Sequence, residues 1–333
     1  MFEYIKKKQK SNSGFANPGF ENLVIIDNTL QHIEIYGEVH NEIMIKNHIY
    51  KKIVKQILLS KKKPLILVEH SNHPRLCSLP EEDIHKFEEQ IKYSGSEFVF
   101  FNLINEPSLK DYVKCIDNRI TLGLLPSFIE KKNINMFNNL LSLSRDKLEY
   151  LLDEIYPILE ETILEYTKNL KIIKSLEDKF LENNLFKIFE KYLKILSKQI
   201  IISSRILLSQ NLLGNSIFKN VFDSSEKEII NFHVLLNVLI NIHFNLKNIS
   251  SLVVDINIKT IISKSKNENI LVFCGSNHSV RLSKLFFSDK INKIYNKKGK
   301  IVEDFSERDL QMANLEPINP KIDNNILKYL ESQ

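Results

Sequence analysis

Residues 33–42 read Ile-Glu-Ile-Tyr-Gly-Glu-Val-His-Asn-Glu. A short apolar run, Ile33 to Tyr36, stops at Gly37 and presents Glu38 and His40 directly after it. A buried strand whose carboxyl edge is used for chemistry ends in this way. The pattern recurs twice. Leu65-Ile66-Leu67-Val68 runs into Glu69-His70-Ser71-Asn72-His73, and Ile270-Leu271-Val272-Phe273-Cys274 runs into Gly275-Ser276-Asn277-His278. Two of these stretches share the spacing Gly-x-x-His, at Gly37/His40 and Gly275/His278. They are so far apart in the chain that only the fold could bring them together.

Working outward, Ile43, Ile45, Ile49, Ile53, Val54, Ile57 and Leu58 recur at helical spacing, and Pro64 closes the segment before the Leu65 strand. A strand–helix–strand unit of this length places its strands parallel, in a right-handed crossover. Residues 23–27 read as an edge strand. An acidic helix start at Pro80-Glu81-Glu82-Asp83 is followed by a third strand over 97–104. Apolar runs at 112–115 and 120–125 flank Asp117-Asn118-Arg119 and mark a further strand edge. Residues 253–263 read as a short helix opened by Asp255, residues 282–287 as another, and residues 291–302 as an edge strand or hairpin turning at Lys298-Gly299. Between these parts, residues 131–249 change character to long Leu/Ile/Lys/Glu helices interrupted mainly by Pro157. The expected architecture is an α/β core with a mostly parallel sheet flanked by helices, formed by residues 23–130 and 250–305 and split by an all-helical insertion over 131–249. Residues 1–22 read as a loose arm and 306–333 as a peripheral tail.

The bulk numbers restrict function without naming it. The 333 residues are 43% hydrophobic and 26% charged, as in an ordinary globular protein. The net charge of +5 comes from scattered lysines on helix faces, which argues against a nucleic-acid partner. Cys77, Cys115 and Cys274 have no C-x-x-C spacing, so free thiols in a reducing compartment are expected. The first residues contain no apolar signal core, and the most apolar stretch, 229–246, is broken by Asn231, Asn237, Asn241 and Asn245. No membrane span and a cytoplasmic location follow as expectations. Oligomeric state is not legible.

In open parallel sheets, ligands sit outside the carboxyl ends of the strands. Glu38, His40, Glu69, His70, His73 and His278 all fall at such ends. Gly37 and Gly275 read as turn residues that clear space there. His40, Glu69 and His278 are suitable ligands for a divalent ion such as Zn, Mn or Co, which would bring a bound water towards neutrality. Without metal, His40 could act as general base with a carboxylate orienting it. Asp117 and Arg119 form either a surface ion pair or an orienting charge at a fourth strand edge, and Asp255 is either an N-cap or a site residue. His32, His48 and His85 fall on solvent faces, and His233 and His243 within the helical block. No G-x-S-x-G, Walker A, G-x-G-x-x-G or H-E-x-x-H signature is present.

At Gly37-Glu38-Val39-His40, Glu69 and Gly275-Ser276-Asn277-His278 the chain resembles the TraB/Tiki superfamily, with its erythromycin-esterase and haem-uptake ChaN-like relatives. That grouping has a first strand ending in G-x-x-H, a glutamate closing the next strand and a second G-x-x-H near the end of the domain. The resemblance covers the α/β core. It implies one of three activities: metal-dependent peptide hydrolysis, metal-independent ester hydrolysis, or haem binding without catalysis. The sequence His40-Asn41-Glu42, where erythromycin esterases more often carry a glycine after the histidine, points away from a macrolide substrate. The expectation is a hydrolase of an ester or amide bond in a small molecule or peptide. Glu38 is its general base, and Glu69, His40 and His278 surround the activated water. A haem- or metal-binding protein is the alternative.

Overall fold

The computed structural model describes residues 21–38, 48–69, 95–104, 106–117, 145–211, 226–296, 298–314 and 316–318. His40, His70, His73 and Arg119 lie outside them, as do the helix start expected at residue 80 and the strand expected over 120–125. The chain divides into two compact units, Met1–Ile120 with Leu252–Asn314, and Thr121–Ser251 with Leu315–Gln333.

Among the described residues the first unit holds seven strands: β1 (Asn22–Asp27), β2 (His32–Glu38), β3 (Leu65–Val68), β4 (Val113–Cys115), β5 (Asn269–Gly275), β6 (Ile291–Asn296) and β7 (Ile301–Val302). They form one mixed sheet in the order β4-β3-β5-β2-β1-β6-β7. β4, β3, β5 and β2 are mutually parallel, and β1, β6 and β7 extend the sheet antiparallel beyond β2. An α/β fold results. The central strands are near-continuous Ile/Leu/Val runs because both faces of the sheet are covered.

Side chains alternate between those faces. One face carries Ile33, Ile35, Leu65, Leu67, Ile270, Val272 and Cys274, packed with residues of two helices introduced below. The other carries Tyr36, Ile66, Val68, Leu271 and Phe273. Helices α1 (His48–Leu59) and α2 (Gly95–Ile104) cover this second face with Ile53, Val54 and Ile57 from the first and Val99, Phe100 and Leu103 from the second. Tyr36 stacks on Phe273 across β2 and β5, with ring centroids 4.8 Å apart.

The second unit contains α3 (Arg145–Lys174), α4 (Glu177–Glu182), α5 (Phe186–Asn211) and the first part of α6 (Glu226–Lys264). α3 runs through Pro157. Phe180 and Phe189 stack at 4.4 Å, and Asn184, in the left-handed region at φ 58°, turns the chain from α4 into α5. Ile318 is tied to this unit: its N–H donates to Asn245 Oδ1 (2.7 Å), and its carbonyl accepts from Asn245 and Gln199 side-chain amides. Among the described residues no helix is long and apolar enough to cross a membrane.

Five expectations need correction. Residues 97–104 belong to helix α2 rather than a strand, because Val99, Phe100 and Leu103 bury one helical stripe. β1 is not an edge strand, since β6 pairs with its far side. Residues 253–263 are the end of the 39-residue α6 and not a separate helix, so Asp255 is mid-helical and cannot be an N-cap. Cys115 is disulfide-bonded and only Cys274 is free among the described cysteines, against the expectation of reduced thiols. His32, expected on a solvent face, is partly buried and bonds Asp27 through Nδ1 and the fully buried Glu34 through Nε2 (3.3 Å).

Candidate active site

The parallel strands end together, and their ends are acidic. β5 lies between β2 and β3. On one side Glu38 pairs in register with Gly275. On the other, the Glu69 N–H donates to the Phe273 carbonyl at 2.8 Å. Asp117 follows β4, whose next residue, Ile116, donates to Val68 at 3.0 Å. The sheet order therefore brings Glu38, Glu69, Asp117 and the β5–helix junction to one edge. Glu38, Glu69 and Asp117 are all buried.

Helix α7 (Ser276–Phe286) starts directly at that edge, with Gly275 as its N-cap. His278 is the third residue of α7 and Arg281 lies one turn on, so both project from one side of the helix. The last turns of α6 pack on the same sheet face through Val254, Ile258 and Ile262, and α7 through Val280 and Leu282. This places Asp255 against the start of α7. His278 Nδ1 bonds Asp255 Oδ1, and Arg281 Nε bonds Asp255 Oδ2 at 2.6 Å. On the other edge of the ring, His278 Nε2 is 3.2 Å from Glu69 Oε1. Glu69 is itself fixed by the Gly275 N–H, which donates to Oε2 at 2.8 Å. The result is a buried chain, Gly275–Glu69–His278–Asp255–Arg281, in which two carboxylates face one imidazole and one guanidinium. His278 and Arg281 are 5% and 6% exposed, and Asp255 not at all.

Burial opposes charge on His278, but the negative fields of Glu69 and Asp255 outweigh both burial and the nearby Arg281 cation. The imidazole is pushed up from 6.5 to about 9. At neutral pH the ring is a cation, with Nδ1 bonded to Asp255 and Nε2 at ion-pair distance from Glu69. Burial and then the charges of Glu69, Asp255 and Glu38 push the Cys274 thiol well above its ordinary range. That thiol is protonated and a poor nucleophile. Its response also places Glu38 in the same electrostatic neighbourhood as Glu69 and Asp255.

The glycines differ from the turn residues expected. Gly37 lies inside β2, and a Cβ there would collide with Asn22 Oδ1 and stand 2.8 Å from Ser279 Cβ. It is glycine because α7 and Asn22 approach the strand this closely; Ser279 Oγ donates to Asn22 Oδ1 at 2.5 Å. Gly275 serves through its amide, on Glu69. Arg281, Asn22 and Ser279 are the residues that sequence reading missed. The three-residue spacing from His278 to Arg281 was the available signal for the first; nothing local marks Asn22.

A divalent ion at this position could draw on His278 Nε2 and Glu69 Oε1, and the carboxylate on Nδ1 is a common support for a metal-bound imidazole. Three protein donors are the usual minimum. Among the described residues no group of three His, Cys, Asp or Glu side chains is arranged to hold a metal. The described residues therefore do not fit a metal by themselves. No family model, curated protein or solved structure matches the chain.

Proposed function

We propose that the chain hydrolyses an ester or amide bond in a small molecule or peptide, with a water activated at the joint carboxyl edge of β2, β5 and β3. The observation that carries this reading is the doubly anchored His278, an imidazolium held between Glu69 and Asp255, with Glu38 ending the strand next to the one that leads into its helix. In this reaction Glu38 takes a proton from water as the oxygen attacks the carbonyl carbon. His278 stabilises the oxyanion through Nε2–H and then gives that proton to the leaving oxygen or nitrogen as the bond to carbon breaks. The proton on Glu38 returns to the imidazole through solvent, closing the cycle. Glu69, Asp255 and Arg281 position the ring and hold its charge.

The TraB/Tiki likeness of the two Gly-x-x-His stretches supports the same class of reaction. Haem ligation would require a neutral imidazole nitrogen, and both nitrogens of His278 face carboxylates. A second reading, in which Zn, Mn or Co binds His278, Glu69 and His40, would require Nε2 of His278, 3.2 Å from Glu69 Oε1, to give up its proton. A cytoplasmic setting belongs to this proposal too, and the Cys115 disulfide is the observation against it.

The test is a panel of p-nitrophenyl esters and short peptides, assayed with and without chelator and accompanied by elemental analysis. We expect chelator-resistant turnover that falls about 100-fold or more in Glu38→Gln while the fold is retained. Near-stoichiometric metal together with chelator-sensitive turnover would move the assignment to the second reading. No turnover on either substrate class would overturn hydrolysis.

A further inference from the structure

The opposite end of the same sheet carries a cavity that the hydrolytic reading does not use. Its volume is about 540 Å³, within the ~300–1,000 Å³ range of small-molecule sites. Leu65, the first residue of β3, contributes to its wall, with the approach to β4 and the end of α6 around it. Glu69 lies beyond the other end of that four-residue strand, roughly 13 Å away at ~3.3 Å per residue. The cavity lies wholly within the first unit.

Three lysines line it: Lys114 from β4, Lys264 from the last turn of α6 and Lys266 just after it. All three are exposed, and among the described residues none has an ion-pair partner. Elsewhere in this unit lysines that meet acids do pair, as Lys62 with Glu268 (2.8 Å) and Lys284 with Asp304 (2.6 Å). Among the described lining residues Asp111 is the one acid against these three lysines, so the concavity is positive. The end of a helix normally adds negative carbonyl charge. Here Gln31 Nε2 answers it, donating to the Ile262 and Ser265 carbonyls at 3.2 and 3.0 Å. The lysines are left to act outward. Tyr112, half-buried in the lining, offers a phenol with no hydrogen bond to its side chain among the described residues and a flat ring for an apolar or heterocyclic body.

We propose that this cavity binds a phosphate-bearing small molecule of sugar-phosphate or mononucleotide size. Lys114, Lys264 and Lys266 neutralise the phosphate, and Tyr112 contacts the remainder of the ligand. Lysine suits this task as a compact, mobile point charge, and charge-assisted bonds to phosphate oxygens are the strong kind.

Calorimetric titration of the full chain with pyrophosphate and with AMP, at fixed ionic strength, tests it. Saturable binding is expected, weakened about tenfold or more in Lys264→Glu/Lys266→Glu and again in Lys114→Glu. Tighter binding of AMP than of pyrophosphate, lost in Tyr112→Ala, identifies the nucleotide source; the reverse order identifies a bare phosphate group or sugar phosphate. Lys298→Glu, an exposed charge reversal outside the cavity, should bind as the wild type does. No saturable heat with either probe, or affinity unchanged in the charge-reversed variants, would overturn the proposal. These exposed lysines can be changed without loss of fold, which unchanged thermal unfolding of the variants in the absence of ligand verifies.

Discussion

His278 faces a buried carboxylate from each ring nitrogen, Asp255 in a hydrogen bond and Glu69 in an ion pair, and that has a consequence for stability. Its pKa is about 9 in the fold against 6.5 for the free side chain, so folding takes up a proton between those values. Stability from this group is fully present below about pH 6.5 and is lost as pH rises through about 9. The shift corresponds to on the order of 3 kcal/mol at most. Urea unfolding at pH 6 and pH 9.5 should show the loss in the wild type and a flatter profile in His278→Gln. That variant should also be less stable at pH 6, by about 3–5 kcal/mol, because it leaves buried carboxylates with one cation fewer. Equal slopes in the two proteins would count against the ion-paired ring. At Gly37, addition of a single methyl should cost about 1–3 kcal/mol, since it would collide with Asn22 and Ser279, both buried and hydrogen-bonded to each other. A thermal melt of Gly37→Ala unchanged from wild type would contradict this packing.

At the scale of elements, legibility followed covering. The β2, β3 and β5 strands could be read because both of their faces are buried, which leaves short runs of Ile, Leu and Val that stop at a polar edge. Helix α2 could not. Its sequence Gly-Ser-Glu-Phe-Val-Phe-Phe-Asn-Leu-Ile is apolar almost all round, so neither period stands out, and the choice is made by packing on the sheet. The interior position of β1 depends on β6, whose pairing partners are distant in sequence. Asp255 was misplaced because the asparagine-rich stretch before it looks like a break, yet nothing between Glu226 and Lys264 ends a helix. The last turns of α6 are thus part of the α/β core. Ile258→Ala, at a fully buried position, should destabilise by about 2–5 kcal/mol in chemical denaturation. A cost below about 1 kcal/mol would mean that this part of α6 is not packed on the sheet.

For the molecule as a whole, the sheet order β3-β5-β2 is what converts three separate sequence endings into one site. Glu38, Glu69 and His278 were legible because their chemistry sits at strand ends. Arg281 was not, because its role depends on how α6 and α7 cross the sheet; Asp255 could be read as a site residue but not as a mid-helical one. The proposed reaction also has a pH signature. With His278 as the group that donates a proton, kcat/KM should fall as pH rises through about 9, where the imidazolium is lost. A rate that keeps climbing above pH 9.5 would remove His278 from that role. The protonation state of this one ring is the most direct measure of the site. A 15N NMR titration of histidine-labelled protein, with His278 assigned by comparison with His278→Gln, reads it without a substrate. Both ring nitrogens should remain protonated through neutral pH and titrate near 9. A ring that is neutral at pH 7.5, or that titrates near 6.5, would contradict the doubly anchored cation on which the proposed hydrolysis depends.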